Sequence, residues 1–190
     1  MNVYDFDNTI YRGESAFDFF LFCIRRKPQL IKVIFPVIKD IILYKTCRMP
    51  WDKFCERGRY YTETFFVLFD DIPKLVSDFW DKHEHKIKPF YNDIRREDDV
   101  IITANVDILV EEAFLRMGIK NYITSKFDLS QGRLTQVCFS ENKVKFFCQK
   151  YGNRIDAFYT DSCNDSPLMK LAEKVYMVRG NKITLEKDMG

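Results

Sequence analysis

The hydrophobic positions change their period twice along the chain. Residues 2–6 form a short apolar and aromatic run that ends in Asp7-Asn8-Thr9, the pattern of a buried strand running into a polar loop. From residue 15 to about 91 the apolar residues recur at helical spacing, which predicts helices over 16–26, 29–44, 51–62 and 72–86. Pro28, Pro50, Pro73 and Pro89 fall where such helices start or stop. After Asp98 the short runs return. Strands are predicted at 100–103, 121–125, 157–160 and 175–178, and a hairpin over 127–139 around Gln131-Gly132. Between them lie helices at 107–117, closed by Gly118, at 141–151, and a short one at 166–173. Strands alternating with helices argue for βαβ units and a parallel sheet. The expected architecture is therefore α/β. Residues 1–13 and 90–190 form the sheet core, and an all-helical segment, 14–89, is inserted after the first strand.

Composition narrows the class. With 190 residues, 46% of them apolar, the chain is long enough to bury a real core. Thirty Lys and Arg against 28 Asp and Glu, with no basic run longer than Arg25-Arg26-Lys27, give no support to nucleic acid as a partner. The six cysteines show neither C-x-x-C pairs nor zinc-type His spacing. Asp5 and Asp7 interrupt the apolar run that a secretory signal would need. Together these predict reduced thiols in a cytoplasmic protein. The most apolar stretch, 30–44, is broken by Lys32, Pro36, Lys39 and Asp40, so no integral membrane span is expected. A buried helix pair bent at Pro36 is favoured there over a helix lying on a membrane surface.

Chemistry enters through position. In open parallel sheets reactive groups gather at the carboxyl ends of the strands. Asp5 and Asp7 end the first predicted strand, Thr103 and Asn105 the second, and Asp161 and Asp165 follow the strand at 157–160. Three carboxylates converging at one edge repel one another and suit Mg²⁺, which prefers oxygen ligands. A phosphoryl group can approach a carboxylate only if positive charge and donors offset the repulsion. Lys143, the Thr103 hydroxyl and amides at the next helix start would supply them. Asp5 could then attack phosphorus while Asp7 serves as acid and base.

These residues resemble the haloacid dehalogenase superfamily of phosphohydrolases, nearest its phosphoserine-phosphatase-like branch. The resemblance rests on Asp5-Phe6-Asp7-Asn8-Thr9, Ile101-Ile102-Thr103-Ala104-Asn105, Asn142-Lys143-Val144 and Asp161-Ser162-Cys163-Asn164-Asp165, in the family's order. It implies a Rossmann-like parallel core with a helical cap, and hydrolysis of a small phosphomonoester through an aspartyl-phosphate. It implies Asp5 as nucleophile and metal ligand, and Asp7 as acid/base offering its backbone carbonyl to the metal. Thr103, the Ala104 N–H and Asn164 would bind substrate, with Lys143 bridging Asp5 and the phosphoryl group. Asp161 would bind Mg²⁺, and Asp165 would order a water or the loop. Two departures stand out. Thr160 occupies the place where the family's fourth motif usually has Gly. Glu14 matches a substrate-contacting Glu, but no cap arginine stands out among Arg48, Arg57 and Arg59.

Ordinary readings compete at several positions. Lys143 has Lys145 and Lys150 nearby, as on a solvated face, and Glu14 before Ser15 suits a helix start by the dipole alone. His83 and His85 share no helix face and are expected at the surface. Phosphoryl transfer to an acceptor other than water, or a peripheral membrane or binding protein using 29–44, are the alternative functions.

Overall fold

The computed structural model describes residues 1–188, apart from the side chains of residues 33, 34, 41, 45, 51 and 188. Seven strands form one sheet in the order β4-β3-β2-β1-β5-β6-β7. The strands are β1 (Asn2–Tyr4), β2 (Val100–Val106), β3 (Tyr122–Asp128), β4 (Arg133–Gln136), β5 (Ile155–Thr160), β6 (Ala172–Arg179) and β7 (Lys182–Asp188). β1 lies at the centre, parallel to β2 and β5, with β3 and β6 extending the parallel set outward. The two edges, β4 and β7, are antiparallel, so the expected parallel core carries one antiparallel strand at each edge. The predicted hairpin at 127–139 is the β3–β4 pair. β7 was not anticipated. Gly180 at φ 61 makes a two-residue turn with Asn181 that pairs Arg179 with Lys182. The short helix α8 (Ser166–Met169) ends four residues before its predicted end, because β6 begins at Ala172.

Between β1 and β2 the chain is helical. It forms α1 (Ser15–Arg26), α2 (Ile31–Lys45), α3 (Trp51–Phe66), α4 (Ile72–His83) and α5 (Pro89–Ile94). Proline placement explains two boundaries. Pro73 sits in the first turn of α4 behind Asp71, whose side chain accepts from the Lys74 N–H at 3.0 Å. Pro89 starts α5, a helix the periodicity did not predict. α4 buries Ile72, Leu75, Val76, Phe79 and Trp80. The Trp80 indole N–H donates to the Leu109 carbonyl at 2.7 Å, which ties the helical segment to α6 (Asp107–Arg116). His83 stacks on Phe79, with ring centroids 4.2 Å apart.

α2 corrects an expectation. It is one continuous helix containing Pro36, and its apolar residues Ile31, Phe35, Ile38 and Ile42 are exposed. Among its described residues Asp40 is the one that is buried, and it accepts from the Tyr61 hydroxyl at 2.6 Å and from Arg57. No helix among the described residues is long and apolar enough to cross a membrane.

Candidate active site

Because β2, β1 and β5 are neighbours, the segments that follow or close these strands meet at the centre of one sheet edge. The Asp5 N–H still donates to Tyr159 O at 2.9 Å, so sheet order continues past β1. Phe6 points into the core among Tyr11, Trp80 and Phe114. That leaves Asp5 and Asp7 on the opposite side, lining a cavity of about 180 Å³ with Glu14, Thr103, Ala104, Lys143, Asp161, Asn164 and Asp165. These residues singled out in the sequence thus border one space, whereas Asn105 does not line it.

Lys143 is the hub. It lies in the first turn of α7 (Glu141–Tyr151), is 4% exposed, and donates to Asp5 Oδ1 and to Asp165 Oδ1, each at 2.8 Å. Lys145 and Lys150 on the same helix are exposed, which separates them from the buried role. Burial alone would lower the lysine's pKa, but Asp5 and Asp165 outweigh it and hold the group charged. For Asp5 the balance goes the other way. Burial outweighs the attraction of Lys143, Asp165 and Asp7 add repulsion, and the carboxyl is pushed up to about 7. The other Asp165 oxygen accepts from Thr160 Oγ1 at 2.9 Å, and that oxygen in turn accepts from the Ser162 N–H at 3.1 Å. Thr160, the departure from the family pattern, is therefore a strut for the loop.

Asp7 is held differently. Its Oδ1 accepts from the Ser15 N–H at 2.8 Å and its Oδ2 from the Asn105 side chain at 2.5 Å, while Asn105 also donates to Ser15 Oγ at 2.9 Å. Burial pushes Asp7 up to about 6, and Ser15 and Asn105 hold it from rising further. Asn105 was expected only as one of the polar groups that end the second strand. Its signal was the strand period, which turns it to the same side as Thr103. Glu14 Oε1 accepts from Asn8 Nδ2 at 2.7 Å, and Asn8 sits at φ 55. Lys88, overlooked in the sequence, is 2% exposed and donates to Asn8 O, so the end of the helical segment fastens the loop after Asp7. Burial lowers its pKa.

The second strand departs from expectation. β2 runs on to Val106 with a shifted register between Ile102 and Val106, and α6 starts only at Asp107. Thr103 and Ala104 thus lie in a bulged strand and not at a helix start. Thr103 Oγ1 accepts from the Asn105 N–H at 3.2 Å. Asn164 is exposed on the opposite lip, its N–H bonded to Ser162 Oγ at 3.1 Å.

Among the described residues no three His, Cys, Asp or Glu side chains are placed together to hold a metal ion. The Asp7 carboxylate is occupied by Ser15 and Asn105, so its backbone carbonyl is what it can offer a cation. Asp161 has no ion-pair partner among the described residues, and burial, with Glu14 and Asp165 nearby, raises its pKa. Two carboxylates and a carbonyl make an open oxygen set. That fits Mg²⁺, which keeps several waters and shares substrate phosphates.

No family model matches the chain, and no curated protein matches it significantly in sequence. Its fold is nevertheless shared with solved structures. A protein of unknown function from Bordetella pertussis Tohama I is 17% identical with a TM-score of 0.69, over 90% of this chain and 85% of that one. A HAD family hydrolase from Salmonella enterica serovar Typhi is 12% identical with a TM-score of 0.60, over 90% of this chain and 59% of that one. A phosphoserine phosphatase solved as a phospho-aspartyl intermediate analogue is 17% identical with a TM-score of 0.53, over 91% of this chain and 83% of that one. The chain has the haloacid-dehalogenase-like, phosphoserine-phosphatase-type fold.

Proposed function

We propose that a protein with this fold and this arrangement of carboxylates is a Mg²⁺-dependent phosphomonoester hydrolase working through an aspartyl-phosphate on Asp5. The observation that carries the reading is the buried Lys143 ammonium, 2.8 Å from both Asp5 and Asp165 at the carboxyl edge of the parallel strands. An Asp5 oxygen attacks phosphorus and the bond to the leaving oxygen breaks. Asp7, whose carboxyl is pushed up to about 6, donates the proton that oxygen needs. In the second half Asp7 takes a proton from water as the water attacks phosphorus, releasing phosphate and the Asp5 carboxylate. Lys143, the Thr103 hydroxyl, the Ala104 N–H and Asn164 hold the phosphoryl oxygens. Asp5, the Asp7 carbonyl and Asp161 would hold Mg²⁺, which supplies the positive charge that lets an anionic substrate approach ionised Asp5; Asp165 orders the loop. The phospho-aspartyl analogue in a phosphatase of this fold supports the covalent route.

Residues 14–89 act as the cap in this reading, with residues 1–13 and 90–190 as the core. Beside the carboxylates, sharing Ala104, lies a second cavity of about 290 Å³ lined largely by Phe19, Phe20, Val37, Phe65, Phe66 and Leu109. Glu14 is occupied by Asn8. Arg57 is paired with Asp40, and Arg48 and Arg59 do not border the carboxylate cavity. These features support a small phosphomonoester with an apolar organic group over an amino-bearing one. All six cysteines are free, with the buried Cys23 and Cys138 thiols pushed up to about 12, which supports a reducing compartment such as the cytoplasm. Phosphate release from a panel of phosphomonoesters, with Mg²⁺ and with chelator, tests the reading. Turnover that requires Mg²⁺ and favours aryl over amino-bearing esters is expected, and activity undiminished by chelation would refute it.

A further inference from the structure

The outward side of α2 is the reverse of a solvated helix face. Ile31, Phe35, Ile38 and Ile42 stand at i, i+4, i+7 and i+11, on one side of the helix, and are 51%, 69%, 42% and 55% exposed. On a helix about 22 Å long at ~1.5 Å per residue they form a continuous stripe, unlike the scattered exposed apolar residues of ordinary surfaces. Lys32 and Lys39 are exposed, lie along one flank of this stripe, and make no ion pair among the described residues.

Along this stretch of the chain nearly all the charge is of one sign. Between Asp18 and Asp52 the sequence holds Arg25, Arg26, Lys27, Lys32, Lys39, Lys45 and Arg48, and its one acid is Asp40. Asp40 is turned inward, 2% exposed and bonded to Arg57 and Tyr61, so it contributes no negative charge outside. A second copy of this chain meeting the same face would set cation against cation. An anionic bilayer satisfies both halves of the pattern, with headgroups taking the lysines and the acyl boundary taking the stripe. We propose that α2 docks the protein on an anionic lipid surface, lying in the plane of the interface. This docking is independent of the phosphatase reading.

Co-sedimentation of the full chain with phosphatidylcholine vesicles, and with vesicles that also contain phosphatidylglycerol, tests it. Binding to the mixed vesicles should exceed binding to the zwitterionic ones by at least about tenfold and weaken with added salt. Phe35→Ser with Ile42→Ser should lower that binding by about tenfold or more with helical circular dichroism retained, since both side chains are exposed. Lys32→Glu with Lys39→Glu, which disturbs no apolar contact, should do the same. No binding to anionic vesicles, or binding that neither pair reduces, would overturn the proposal. A dimer in sedimentation that the Phe35→Ser/Ile42→Ser pair disperses, without vesicle binding, would assign the face to a second copy instead.

Discussion

Asn105 donates its side-chain amide to Asp7 at 2.5 Å, joining the second core strand to the loop that opens the helical segment. This donor favours the ionised form of Asp7. Asn105→Ala should therefore move the alkaline limb of the kcat/KM profile, where Asp7 loses the proton it donates in the first step, upward from about 6 and lower kcat by roughly 10–100-fold. The Glu14 charge acts in the opposite sense, raising the same group. Glu14→Gln should move that limb downward. Profiles for the two variants that shift in the same direction would contradict the assignment of the limb to Asp7.

The Asp5 carboxyl gives a stability signature. Its folded value of about 7 lies above the ordinary value near ~4, so the folded state binds the extra proton. Ionisation then destabilises the fold. The penalty is absent below about 4, grows as pH rises, and is complete above about 7. Asp5→Asn carries no such penalty. In chelator, its Tm minus that of the native protein should increase across this window, and Mg²⁺ should raise the native Tm more at neutral than at acidic pH. A Tm difference that stays flat across the window would show that burial does not raise Asp5.

Much of this was legible in the sequence. Three of the four motifs fall on the neighbouring strands β1, β2 and β5 and the other at the start of α7, because parallel βαβ order brings reactive loops to one edge, and Asp5, Asp7, Lys143 and Asp161 all border the cavity. What stayed hidden depends on distance in three dimensions. Asn105 gave no sign of being the partner of Asp7 because nothing local announces that β2 bulges and continues to Val106. Lys88 looked like one more surface lysine, although it is buried against Asn8 O. In α2, apolar content was read as burial, whereas the sole acid of that stretch, Asp40, is the group turned inside. β7 carried a faint period-two signal in Ile183 and Leu185, which the charged residues flanking them, Lys182, Glu186, Lys187 and Asp188, masked.

Thr160 makes the departure from glycine testable. Its hydroxyl joins Asp165 to the Ser162 amide. Thr160→Gly should cost about 1–2 kcal/mol, since it removes two partly buried hydrogen bonds, and lower Tm by roughly 2–8 °C. Thr160→Ser keeps the oxygen and should remain near the native Tm. An equal drop in both variants would assign the effect to the methyl group's packing.

The covalent step on Asp5 is tested most directly by acid-quenching the enzyme during turnover of a phosphomonoester with Mg²⁺, reducing the acyl-phosphate with borohydride, and mapping the peptides by mass spectrometry. Reduction converts a phosphorylated aspartate to homoserine, so the modification should appear at Asp5, only when substrate is present, and be absent in Asp5→Asn. Turnover without homoserine at Asp5, together with native-like turnover by Asp5→Asn, would contradict it.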